Sequence, residues 1–81
     1  NASTQNYNSR AFAYFKLGKL KLAEADALKA KSLDVDYPES YYNLALIYNG
    51  MGNPEAACTS KKNAEKLGST KAKELKIKGC K

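Results

Sequence analysis

Tyr41, Leu44, Ala45 and Tyr48 fall at i, i+3, i+4 and i+7. That spacing puts them on one face of a 3.6-residue helix. The stripe stops at Gly52, Asn53 and Pro54. Gly suits a left-handed residue after a helix, Asn an N-cap, and Pro the first position of the next helix. The pattern therefore predicts helices over 39–51 and 54–66. The same pattern occurs 34 residues earlier. Tyr7/Tyr41, Ala11/Ala45, Tyr14/Tyr48, Gly18/Gly52, Ala23/Ala57, Ala30/Ala64 and Leu33/Leu67 are identical at that offset. No gap is needed, and the matches fall on the aromatic, small and Gly positions that packing constrains. The earlier copy predicts helices over 4–17 and 19–33, with Leu20, Ala23, Ala27 and Ala30 on one side of the second. Between the copies, Asp36 is placed to cap and Glu39 to complete a capping box. A last helix is predicted over 70–80, with Ala72 and Leu75 inward.

A helical hairpin of this size cannot bury its apolar stripe alone, so copies must stack. Ala11 and Ala45 allow close helix approach. Tyr14 and Tyr48 cover the gap with large area while keeping a polar tip. The expected fold is all-α: an α-solenoid of two antiparallel hairpins plus a terminal helix. All 81 residues are expected to form one domain, with repeat one at about 4–37, repeat two at about 38–69 and the terminal helix at about 70–80. A chain this short buries only about 60–65 % of its unfolded surface.

The residues that carry this repeat resemble the tetratricopeptide repeat, whose period is 34 residues. Tyr41, Leu44, Ala45, Tyr48, Ala57 and Ala64 fill its pattern in the second copy. Tyr7, Ala11, Tyr14, Ala23 and Ala30 fill it in the first. Arg10 stands where the family has Leu. Ala27 and Lys61 stand at its large aromatic, and Val35 and Ser69 at its closing Pro. The resemblance implies a protein–protein interaction module, an adaptor or scaffold that holds a peptide or protein segment in a concave groove. It assigns Asn8, Phe12 and Phe15 of the first copy and Tyr42, Leu46 and Asn49 of the second to that groove. Both triplets also run i, i+4, i+7, about a third of a turn from the packing stripe. Asn43 lies where many members carry an Asn that bonds a ligand backbone. Bonding within its own repeat is the other reading for Asn43, and packing on each other or on a segment outside this sequence is the other reading for Phe12 and Phe15. The subgroup that clamps a C-terminal carboxylate uses Lys and Asn where this chain has Asn8 and Phe12, which disfavours that specialisation. Two pairs are fewer than the three or so repeats that usually stand alone. Self-association through the first helix, or further repeats before Tyr7, is therefore expected.

Charge adds one alternative. Fourteen Lys and Arg face eight Asp and Glu, a net charge of +6. From Cys58 onward there are eight Lys against Glu65 and Glu74. The alternative function is electrostatic binding of an anionic polymer or membrane surface through this region. Nucleic acid is disfavoured, because no aromatic or Arg is interleaved with the charge. Enzyme chemistry is not expected. There is no His, no Gly-rich phosphate loop, no metal-spaced cluster and no nucleophile with a visible base. Neither a cofactor nor a metal is expected. No run of 18 apolar residues is present to span a membrane. Without an initiator Met or a signal-peptide pattern, the chain is expected to be processed.

Cys58 and Cys80 are the two cysteines. If the helices holding them are antiparallel, the residues lie about ten before and about eleven after the turn near Gly68. They then reach similar heights, which permits a disulfide. On a helix, though, Cys80 is turned about 80° from Ala72, and two free thiols remain the other reading. A bridge implies an oxidising, extracytoplasmic setting, periplasmic or secreted; free thiols leave the cytoplasm as the alternative.

Overall fold

The computed structural model describes residues 2–80, so the outermost positions of the expected domain lie outside the described residues. Five helices follow one another: α1 (Ala2–Lys16), α2 (Leu20–Leu33), α3 (Pro38–Gly50), α4 (Pro54–Lys66) and α5 (Thr70–Glu74). No strand occurs among the described residues. α1 pairs with α2 and α3 with α4 as antiparallel hairpins, and α3 packs back onto both α1 and α2.

Three of the four connections share one geometry. Gly18, Gly52 and Gly68 each take a positive φ of 78°, 80° and 96°. The following N–H groups of Lys19, Asn53 and Ser69 donate to the carbonyls of Tyr14, Tyr48 and Ala64, all at 2.9 Å. This six-to-one bond satisfies a carbonyl that the helix end would otherwise leave open. Asn53 then caps α4 by accepting from the Ala56 N–H at 3.2 Å, and Ser69 caps α5 by accepting from the Ala72 N–H at 3.1 Å.

The α2–α3 connection differs, and the expected capping box does not form. Tyr37, not Asp36, is the N-cap of α3, and it makes no side-chain cap bond. Pro38 at the first helical position has no N–H to cap. The Asp36 N–H instead donates to Asp34 Oδ1 at 3.2 Å, and the Tyr41 hydroxyl donates to the Val35 carbonyl at 2.7 Å.

Leu44 and Ile47 of α3 are buried against Ala11, Ala23 and Ala27 of the first hairpin. The three alanines have no exposed surface, so the helices approach with nothing bulky between them. Tyr14, Phe15, Tyr48 and Met51 pack around this cluster. In the second hairpin the equivalent Ala45 and Ala57 are covered by Ile77.

The terminal helix is shorter than its expected span of 70–80. α5 stops at Glu74, and residues 75–77 run without helical structure into a turn. On a helix, Leu75 and Ile77 would point about 200° apart, whereas an extended backbone puts both on one side. Ile77 is 7 % exposed and sits with Ala45 and Ala57; Leu75 and Cys80 pack against the same cluster. Gly79, at φ 80°, lets the chain turn, and the Cys80 N–H donates to the Ile77 carbonyl at 3.0 Å. This return brings Cys80 to Cys58, with Cα atoms 5.4 Å apart, and the two form a disulfide. The bridge is thus made by an extended strap and α4, not by two antiparallel helices.

Candidate peptide-binding site

α1 and the start of α3 enclose a depression of about 420 Å³ lined by Gln5, Asn8, Ser9, Phe12, Tyr37, Glu39 and Asn43. Gln5, Ser9 and Phe12 come from one side of α1 at i, i+4 and i+7. Asn8 and Asn43 form its inner wall and are 3 % and 2 % exposed. Asn43 Nδ2 donates to the Asn8 carbonyl at 3.1 Å and to Asn8 Oδ1 at 3.4 Å. Asn8 Nδ2 donates in turn to Ser40 Oγ at 2.9 Å. This chain joins the two repeats. It leaves Asn43 Oδ1 buried without a hydrogen-bond donor. A buried carbonyl oxygen in that condition costs about 1–3 kcal/mol.

Phe12 is 42 % exposed. Its ring centroid lies 6.3 Å from that of Phe15 at a tilt of 35°, and Lys16 Nζ lies 5.7 Å over it. Glu39 is the one carboxylate on the lining, and it pairs with Lys71 at 3.5 Å.

Of the seven residues expected in the groove, Asn8, Phe12 and Asn43 come together here. Phe15 belongs to the packing around the first core cluster. Tyr42 is half-buried against the cluster of Tyr41, Ala64 and Ala72, with Lys71 Nζ 5.7 Å from its ring centre. Leu46 is half-buried and Asn49 exposed further along α3. Tyr42, Leu46 and Asn49 do not line the depression. Gln5, Ser9, Tyr37 and Glu39 line it without having been assigned to the groove from the sequence. Gln5 and Ser9 carried a usable signal, since with Phe12 they complete an i, i+4, i+7 stripe on α1; Tyr37 and Glu39 arrive from the N-cap and first turn of α3 and carried none for this site.

The opposite side of α1 holds a charged feature. Arg10 Nε and Nη2 donate to Asp26 Oδ2 and Oδ1 at 2.7 and 2.9 Å. The guanidinium also lies 5.8 Å from the ring centres of both Tyr7 and Tyr14. The hydrogen bond and charge of Asp26 push the Arg10 pKa further up. Tyr48 is raised as well, first by burial, then by its hydrogen bond to Glu24.

Among the described residues no cluster of His, Cys, Asp and Glu is placed to hold a metal ion, and no helix is long and apolar enough to cross a membrane. The tetratricopeptide repeat, compared as a family, matches residues 4–37 and 38–67. No curated protein and no solved structure matches the chain significantly.

Proposed function

Because the chain belongs to the tetratricopeptide repeat family, generally a family of protein-interaction folds, we propose that it is an adaptor module that holds a partner's peptide segment in the α1–α3 depression. The observation that carries this reading is the buried Asn43 Oδ1 with no donor, beside a half-exposed Phe12. A peptide N–H supplies the donor once the Asn43 amide turns toward the depression, and an apolar side chain covers Phe12. Tyr42, Leu46 and Asn49 extend the path along α3, with Phe15 supporting Phe12 from below. No catalysis is part of this role. The Cys58–Cys80 bridge supports an oxidising setting outside the cytoplasm.

The test is selection of binding peptides from a random library, followed by NMR shift mapping. The strongest shifts are expected at Gln5, Asn8, Phe12 and Asn43, and Phe12→Ala should weaken binding by about tenfold. Selected peptides whose shifts map to α2 or α4, with Phe12→Ala binding like the unaltered protein, would overturn the reading.

A further inference from the structure

In the first hairpin Ala27 lies under α3, fully buried. Lys61 occupies the equivalent place 34 residues on. Among the described residues the strap packs there, and it leaves a second depression of about 320 Å³ on the α4 side. Four lysines border it: Lys61, Lys73, Lys76 and Lys78. Lys61 Nζ already meets one carboxylate, Glu65 Oε2, at 3.0 Å. Among the described residues, Lys73, Lys76 and Lys78 make no ion pair. All three are exposed. Cys80 is part of the same lining, so the disulfide holds the segment carrying these charges against α4. Cations held in place bind an anion with less ordering cost than cations on a free tail.

We propose that this depression binds an acidic segment of a partner polypeptide, through side-chain carboxylates that meet Lys73, Lys76 and Lys78. The site is separate from the α1–α3 depression and does not depend on the reading of it. Three observations choose a polypeptide. The site is confined to one small depression, not a track along the molecule. No aromatic ring or Arg borders it, so nucleic-acid bases have nothing to stack on. Ile77 is turned into the core at 7 % exposure, which leaves no apolar wedge to enter a bilayer. Lysine ammoniums, compact and separately placed, suit single carboxylates.

The experiment measures anisotropy of a short labelled oligo-glutamate peptide, with oligo-glutamine as its uncharged counterpart. The triple variant Lys73→Gln, Lys76→Gln, Lys78→Gln should weaken oligo-glutamate binding by about tenfold. The matched triple Lys19→Gln, Lys21→Gln, Lys29→Gln removes the same charge from exposed positions elsewhere, and should change it by less than about twofold. Equal weakening by both triples would show a net-charge effect and overturn the site. Equal binding of oligo-glutamine, or tighter binding of a single-stranded oligonucleotide or of anionic-lipid vesicles than of oligo-glutamate, would overturn the occupant.

Discussion

Ser40 Oγ accepts the Asn8 amide in a place without exposed surface. Ser40→Ala therefore strands a buried donor and is expected to cost about 1–2 kcal/mol. Urea denaturation measures this, and an unchanged midpoint would mean that water replaces the hydroxyl. Tyr48 gives a pH-dependent counterpart. Burial, and then the Glu24 hydrogen bond, raise its folded-state pKa above the unfolded value of about 10. Its contribution is complete below the unfolded value and is lost as pH rises through the raised folded one. Tyr48→Phe lacks this titration. Melting temperatures recorded on both sides of that window should fall more steeply for the natural protein than for the variant. Neither Ser40 nor Glu24 stands out in the sequence. A lone Ser and a lone Glu on helices read as solvated surface until a partner from another helix is known.

At the level of elements, α1 to α4 were legible because their signals are local. Gly turns and the Pro after Asn53 act within a few residues of the boundary they set, and the 34-residue offset shows the same local pattern in both copies. The end of α5 was not. Ala72 and Leu75 continue a helical spacing, while Leu75 and Ile77 also satisfy an extended one. What decides between them is the Ala45 and Ala57 surface that Ile77 covers, and that surface is distant in sequence. The candidate site was half legible for a similar reason. The family resemblance picked out Asn8, Phe12 and Asn43, but neither it nor a wheel angle can tell whether a residue lines a depression or, like Phe15, packs beside the core. The close α3–α4 approach gives its own prediction. Ala45→Leu pushes against Ala57 and Ile77 and should destabilise by about 1–3 kcal/mol. A thermal melt at the natural temperature would show that Ala45 is not where the helices are closest.

For the whole molecule, the outer faces of the two hairpins are treated differently. The α3 residues Leu44 and Ile47, which dock on the first hairpin, correspond to Arg10 and Ala13 on α1. Arg10 is tied to Asp26, and its side chain is 59 % exposed. A charged pair weighs against stacking on this face, contrary to the self-association expected from the repeat number. Replacing both, Arg10→Leu with Asp26→Leu, should create an apolar ridge and shift sedimentation toward dimers. A double variant that stays monomeric at high concentration would assign the face no such role. At the other end, the strap closes the second hairpin through a bridge that spans 22 residues. In the chain-entropy account this closure contributes about 3 kcal/mol. Cys80→Ser should lower the stability by that order, read by chemical denaturation without reductant.

The same bridge reroutes mechanical load. Tension applied at Cys80 passes through the sulfur–sulfur bond to Cys58, so the 21 residues between them carry none of it. A machine that unfolds this chain by pulling there would strip the start of α4 from α3 first, leaving the rest of α4, α5 and the strap inside a closed ring. In optical-trap records with intact disulfide, that ring's contour length should be missing from the extension, and it should reappear once a reductant is added.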